Sequence, residues 1–590
     1  MQPPTPVRLV QQLLQTMRKR LRTSDGWLIA LSLLAGLLAG LLTLLQSRLA
    51  HMLQVWLYGL DEDTRLSSSA HLGLTALLAL PIGGLLVGLV SLAATLRKRQ
   101  LLDAVEANAL HGGRMSMRDN LIVSLQTLLS NGFGASVGLE AAYTQMGAGS
   151  GSQLARALRL RRTDTRILVG AGAAGAIAAA FGAPLAGAFY AFEIVIGAYT
   201  PSALAPVAVA ALAGNFVAQT AAVPPYMLPA ASAVTLHPRD YAVFAALGLL
   251  CALIGVAVMR LVTGIEQHVN RSPLPGWGRP IIGGLLLIPL ALATPQILSS
   301  GHGALHVDLT TRLPLLWIGG LLLAKCLASA ISLGFGFRGG LFFASLFIGT
   351  LVGALFAGLV NLAGGGILVD STAAALAGMA ALAAAVVGAP MTMAMLVLEG
   401  THDFVLASAV MAAVLVANTV VRQSFGYSFS TWRLHLRGGK ITSARDVGWV
   451  QNLTAGRMMR QGTGTISADA SVEQFRHRFP LGADTRAVLL DGEHRYAGIV
   501  QVARVYADGV KADTMVGSLA GNRDVTLPPE TDVATVIRRF DETQSDEMAV
   551  VDTEGHLLGV LSEAFVRKRY AEELDKRQRE LMGERVEDGE

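Results

Sequence analysis

The chain has 590 residues, of which 52% are hydrophobic and only 15% charged. A soluble globular chain carries roughly 25% charged residues. The composition therefore excludes a wholly soluble protein and points to many membrane helices, whose backbones the 64 glycines allow to approach closely. The formal net charge of +5 comes from basic clusters beside apolar runs and needs no nucleic acid to explain it.

Arg18, Lys19, Arg20 and Arg22 precede the first long apolar run, Trp27 to Leu45. Arg97, Lys98 and Arg99 follow the second, and Arg159, Arg161 and Arg162 follow later elements. Basic flanks favour the cytoplasmic side. Residues 1–25 are thus expected in the cytoplasm, and so is the soluble tail after an even number of crossings. The first apolar run is too long for a cleavable signal peptide, and more runs follow it. Apolar segments lie near 27–45, 72–96, 167–199, 203–221, 240–263, 280–297, 314–333, 341–362, 367–398 and 403–421. Together they define a membrane domain over residues 26–430, embedded in a lipid bilayer. Several fall short of the roughly 20 residues that a full span needs, or are cut by Gly and Pro. Cys251 and Cys326 sit inside apolar runs and read as inert core residues. Lys325 is a lone cation in a long apolar run, a functional suspect by default. A structural role, paired or snorkelling to an interface, is preferred for it.

Interrupted segments in matching places of two halves point to a transport site, and this chain has such a repeat. The first half contains Gly170-Ala-Gly-Ala-Ala-Gly-Ala-Ile-Ala-Ala-Ala-Phe-Gly-Ala-Pro184 and then Glu193; the second contains Ala377-Gly-Met-Ala-Ala-Leu-Ala-Ala-Ala-Val-Val-Gly-Ala-Pro390 and then Glu399. In both, a carboxylate follows nine positions after the proline. Upstream, Gly138-Leu-Glu…Gly147 pairs with Gly340-Leu-Phe…Gly349, the glycines nine apart in each and 46 and 50 residues from the proline. Two matches in one order at nearly equal spacing indicate an internal duplication. Its physical content is an anion site. A glycine-rich approach to a helix exposes amides with no intrahelical partner, and these, with the positive end of the helix dipole, favour an anion. Partial charges let an ion dehydrate and still leave, whereas a full cation at the midplane is costly to bury.

At these residues the chain resembles the CLC chloride channel and transporter family, over about residues 100–430. Gly-Leu-Glu (138–140) is similar to the family's G-[KR]-E-G-P, and Gly-Gly-Leu-Phe-Phe-Ala-Ser-Leu-Phe-Ile-Gly (339–349) to its G-x-F-x-P. Gly-Ala-Pro-Leu-Ala-Gly (182–187), Ser-Gly-His-Gly (300–303) and Gly-Ala-Pro-Met-Thr…Leu-Val-Leu-Glu (388–399) complete the set in order. The resemblance implies an all-α polytopic membrane domain of two inverted repeats, a homodimer with a pore in each subunit, and chloride or a similar small anion as cargo. A bacterial inner membrane is the expected location. Glu140 opens a helix at the anion site, so its carboxylate can take an anion's place. By resemblance it is a gate, released by protonation or anion competition, and a potential proton carrier. Gly138, Leu341 and Phe342 are expected to address the anion with backbone amides, and Tyr427 with its hydroxyl.

The departures matter as much as the matches. Ala141 and Ala142 stand where the family has Gly-Pro. The family's G-S-G-I-P loop should fall near 98–102, where this chain has Lys98-Arg99-Gln100-Leu101-Leu102. Lys98 or Arg99 either faces the inner pore or belongs to a solvated positive-inside cluster, the preferred reading. The internal proton glutamate of the family's exchangers maps to Ile194, which cannot carry a proton. This favours channel-like conduction over proton-coupled antiport, the alternative, for which fluoride or nitrate are further candidate cargoes. Glu193 and Glu399 read as structural carboxylates near helix ends.

After a linker over 431–452, residues 453–512 and 513–575 form two similar αβ units that resemble a CBS domain pair. One repeats Ser471-Val-Glu-Gln-Phe, a strand at Ala487–Leu490 and an Asp491-Gly-Glu-His turn; the other repeats Thr531-Asp-Val-Ala-Thr-Val-Ile, Met548-Ala-Val-Val-Asp552 and a Thr-Glu-Gly turn. Many such pairs bind adenine nucleotides through an Asp after the last strand. Gln501-Val-Ala-Arg and Ser562-Glu-Ala-Phe lack it, which argues against nucleotide regulation and for a dimer-stabilising module. Residues 576–590 are a charged tail. No phosphate loop, metal-spaced His/Cys cluster or nucleophile elbow is visible, so neither an enzyme nor a cofactor is expected. A membrane sensor run by the CBS pair, with a closed pore, is the competing class.

Overall fold

The computed structural model describes residues 25–97, 101–221, 238–310, 313–364, 368–436, 453–482 and 484–581. Lys98 and Arg99 lie outside them. The chain divides into two compact units, Met1–Asp446 and Val447–Glu590.

The first unit is helical, and eight of its described helices are long and apolar enough to cross a membrane. Large apolar side chains such as Leu316, Leu323 and Phe404 stay exposed on it, as lipid-facing residues do. One succession of helices occurs twice. Asp25–Tyr58, Ala79–Leu96, Ala104–Leu110, Met117–Gly132, Glu140–Leu158, Arg162–Phe181, Pro184–Tyr190 and Pro201–Thr220 are followed by Pro238–Arg271, Arg279–Ala293, His302–Thr310, Leu315–Gly334, Phe342–Gly364, Ser371–Val387, Pro390–Thr401 and Phe404–Ser424. The duplication seen in a few motifs thus extends through most of the unit's described helices.

Local chemistry explains why the chain breaks where it does. Gly182 and Gly388 adopt left-handed φ values of 64° and 83° and close the two Ala-rich helices. The following prolines, Pro184 and Pro390, take the first helical position, where a missing N–H costs nothing. Between them Ala183 and Ala389 share nearly the same backbone angles (φ −127°, ψ 84° and φ −126°, ψ 75°). Gly-Ala-Pro is therefore a stop-and-restart signal, and it splits the apolar segments 167–199 and 367–398 into two helices each. In the opposite sense, the first helix runs to Tyr58 rather than stopping near Leu45. Its two glutamines stay buried and hydrogen-bonded: Gln46 accepts from Ser124, and Gln54 donates to Asn131 and Ser299. Polarity ended the apolar run without ending the helix.

Each half packs its two central helices through glycine. A Cβ on Gly147 would lie 2.4 Å from the Gly172 carbonyl oxygen, and one on Gly172 would lie 2.0 Å from that of Gly147. The second half repeats the crossing, with Gly349 2.3 Å from the Gly378 oxygen and Gly378 2.4 Å from that of Gly349. Such contact is closer than any side chain allows, which is the physical use of small residues in membrane packing. Lys325, fully buried, donates to the carbonyls of Ile297 (2.9 Å) and Ser299 (3.0 Å), a structural tie.

The second unit holds two three-stranded sheets of the same topology. In the first, β1 (Thr465–Ser467) pairs parallel with β2 (Arg486–Leu490), which pairs antiparallel with β3 (Tyr496–Gln501). In the second, β4 (Thr526–Leu527), β5 (Glu547–Val551) and β6 (Leu557–Ser562) repeat that order. Each has a helix packed on it by a buried apolar stripe, through Val472 and Phe475 or through Val533, Val536 and Phe540. Ser471 caps the first helix through a capping box, and Asp532 caps the second.

Candidate functional site

The two duplicated Gly-Leu sequences meet. Gly138 and Gly340 form an antiparallel bridge, with Gly138 N–H donating to the Gly340 carbonyl at 3.0 Å and the return bond at 3.4 Å. The chain directions at the two helix starts are therefore opposed, and the helices Glu140–Leu158 and Phe342–Gly364 begin side by side. This junction is the centre of the site, because both helices bring amides that have no intrahelical acceptor to one place.

Glu140 is 3% exposed. Its carboxylate folds back over Gly138, where a Cβ would lie 1.9 Å from Oε2. Only glycine leaves room for that conformation. The backbone amides of Glu140 and of Phe343 address the carboxylate. Phe343 is in the first turn of the opposite half's helix, so Glu140 lies where an anion at that helix start would lie. Its Oε2 is buried without a hydrogen-bond partner. Leu341 and Phe342 are also buried here, but the amide that reaches the carboxylate is that of Phe343, one residue beyond the expected pair.

Aromatic packing fixes this turn. The Phe181 ring lies 5.3 Å from that of Phe342 and 6.2 Å from that of Phe343. The His302 ring stacks on Phe343 at 3.4 Å, and Ser300 Oγ meets His302 Nδ1 at 2.6 Å. The Ser-Gly-His-Gly sequence thus backs the residue whose amide holds Glu140.

A cavity of about 720 Å³ opens from the site. Glu140, Thr144, Tyr190, Ile194, Phe342 and Tyr427 all line it. Leu101, near the end of the stretch that replaces the expected glycine-rich loop, lines it too, as does the adjoining Asp103. Gln145 holds that stretch to the Glu140 helix, donating to the Leu102 carbonyl at 2.9 Å and to Asn120 Oδ1 at 2.8 Å. The Tyr427 hydroxyl is turned to His435 Nδ1 at 3.3 Å. Its ring is held among Phe425, Trp432 and His435.

Glu193 and Glu399 do something the sequence did not suggest: each caps the broken helix of the opposite half. Glu193 accepts from Met391 N (3.0 Å), Thr392 N (2.9 Å) and Thr392 Oγ1 (2.7 Å). Glu399 accepts from Leu185 N (2.8 Å) and Ala186 N (2.9 Å). Both carboxylates were expected to be buried near helix ends, but each is only half-buried, and the reciprocal crossing is new. These two helix starts are filled by protein carboxylates, and the junction at Gly138 and Gly340 is held by Glu140. Thr144 and Tyr190 also escaped the sequence reading. The available signal was a tyrosine inside an apolar helix, four residues before Ile194.

Comparison with known proteins bears on the family and the fold. The family model described as voltage gated chloride channel matches residues 99–422, and the CBS domain model matches residues 516–564. A ClcB-like protein of Ralstonia nicotianae is 30% identical over 393 residues, covering 64% of this chain and 89% of that protein. Two solved structures share the fold. A slow cyanobacterial Cl⁻/H⁺ antiporter has a TM-score of 0.61 at 21% identity, covering 70% of this chain and 97% of its own. A CLC-type fluoride/proton antiporter has a TM-score of 0.57 at 21% identity, covering 68% and 96%.

Proposed function

This chain belongs to the voltage-gated chloride channel (CLC) family of anion transporters, and from that premise we propose that it conducts chloride through a pore gated by Glu140. One observation carries the reading: the Glu140 carboxylate rests on the amide of Phe343, in the first turn of the other half's helix, with one oxygen unpartnered. An anion arriving from the cavity competes for the same amide, and protonation removes the charge that holds the side chain there. Either event swings the carboxylate away and lets the ion pass. Gly138, Leu341 and Phe342 supply the backbone surface over which it moves.

Conduction is channel-like in this reading, because the position of the family's internal proton glutamate is Ile194, which lines the cavity and cannot carry a proton. Proton-coupled antiport is the second reading, favoured by Glu193, which lines the same cavity one residue away. Its carboxylate is already committed to three hydrogen bonds, which supports the first reading over the second. The subunits pair as a homodimer, each with its own pore, and the CBS pair stabilises that dimer without a nucleotide. Both termini face the cytoplasm.

Chloride efflux from proteoliposomes tests this. Glu140→Gln is expected to conduct without the rise that the wild type shows as pH falls. Uphill proton movement driven by a chloride gradient would overturn the channel reading. No efflux of any small anion would overturn transport itself and leave the CBS-based sensor.

A further inference from the structure

Tyr190 stands in the cavity beside the gate, its ring 6.0 Å from that of Phe342 at 63°, with only 9% of the residue exposed. Its hydroxyl interacts with the Thr144 side chain, within electrostatic reach of Glu140 and Asp103. Thr144 lies one helical turn after Glu140, and its own hydroxyl donates to the Glu140 carbonyl at 2.8 Å. The threonine proton is thereby committed, so in this pair Tyr190 keeps the free donor and Thr144 offers a lone pair. A phenol hydroxyl rotates to suit its acceptor. It can rest on the Thr144 oxygen when the cavity holds no ion and turn to an ion when one arrives. Tyr427, the residue expected to supply such a hydroxyl, faces the same cavity but points it at His435.

We propose that Tyr190 is an anion-binding residue of this pore, donating its hydroxyl hydrogen to the ion on the cavity side of Glu140 in the role first expected of Tyr427. The proposal rests on the reading of Glu140 as the gate. Its consequence is selectivity. A single directed O–H favours a compact, strongly hydrated anion such as chloride over a large polarisable one such as thiocyanate, because it replaces part of the hydration that chloride gives up.

Chloride affinity by titration calorimetry in detergent and anion efflux from proteoliposomes test it together, on the full-length protein. Tyr190→Phe removes one oxygen and keeps the ring; a lost hydrogen bond to a charged group weakens chloride binding about tenfold or more. Thiocyanate binding changes less than about threefold, so the preference for chloride narrows. Thr144→Val, which leaves the Tyr190 donor in place, changes chloride affinity by less than about threefold. The proposal is overturned if Tyr190→Phe binds chloride within twofold of the wild type while Tyr427→Phe loses tenfold. It is also overturned if Tyr190→Phe weakens both anions equally with a broadened elution profile, the mark of a packing role. Glu140→Gln separates the two readings: if its efflux keeps the wild-type pH profile, the gate fails whatever Tyr190 does. No chloride binding by the wild type in either assay overturns both.

Discussion

Glu193→Ala would remove an acceptor that takes three hydrogen bonds from the start of Pro390–Thr401. Glu399→Ala would remove one that takes two from the start of Pro184–Tyr190. A hydrogen bond contributes about 1 kcal/mol net, and losing a helix N-cap costs about 0.5–2 kcal/mol. The expected losses are therefore about 3 kcal/mol for Glu193→Ala and about 2 kcal/mol for Glu399→Ala. In the folded-to-unfolded ratio these are factors of about 150 and about 30. Glu193→Gln keeps an acceptor and should lose about half as much as the alanine variant. The two helices pack on each other, so the cost of the double alanine variant should depart from the sum of the singles. Unfolding of the detergent-solubilised protein by increasing SDS mole fraction, followed by tryptophan fluorescence, gives the order directly. A Glu193→Ala variant as stable as wild type, or less damaged than Glu399→Ala, would refute the crossed capping.

Four further outcomes follow from other parts of the molecule. Gly138→Ala places a Cβ 1.9 Å from Glu140 Oε2; chloride efflux should lose its pH dependence because the carboxylate can no longer fold back, and an unchanged profile would refute the geometry. Gly147→Ala and Gly349→Ala each meet a backbone oxygen at 2.3–2.4 Å and should both destabilise by about 1–3 kcal/mol, measured by the same SDS titration. Lys325→Met leaves the Ile297 and Ser299 carbonyls without their buried donor, at a cost of about 2–5 kcal/mol, with little change in anion preference of the folded fraction. In the second unit, backbone amides of Arg495 and Glu493 hold the Asp491 carboxyl below the usual carboxylate range, and those of His556 and Glu554 do the same for Asp552. With the folded pKa depressed, the turns are fully stabilised above about pH 4 and loosen as pH falls through the folded value. Hydrogen exchange at the Arg495 and His556 amides should accelerate there, beyond the intrinsic pH effect.

Much of this was legible locally. Gly-Ala-Pro encodes a helix stop and restart in its own three residues, and the matched spacing to Gly138 and Gly340 exposed the duplication. Glu140 was legible because it is a carboxylate at the start of a glycine-approached helix. The crossed caps were not, since Glu193 and Thr392 are 199 residues apart and each looks like an ordinary helical residue in its own segment. The direction of a hydroxyl is equally silent in the sequence. Tyr427 turns to His435 because Phe425 and Trp432 hold its ring, and Tyr190 meets Thr144 only after two helices from different segments have packed. The length of the first helix was missed for a simpler reason: buried glutamines look like an ending until their partners are known.

The duplicated Gly-Leu pair carries a further consequence at its third residue. In one copy it is followed by Glu140, in the other by Phe342. Had both copies kept a carboxylate, two like charges would face each other across the Gly138–Gly340 bridge, and at least one would have to stay protonated. With neither, the exposed amides would have no internal ligand and nothing to hold a passing ion back. Divergence at one position therefore makes two equivalent helix starts unequal, one supplying a carboxylate and the other an amide that holds it. Reversing it, by exchanging the residues at 140 and 342, would ask whether the molecule cares which half holds which.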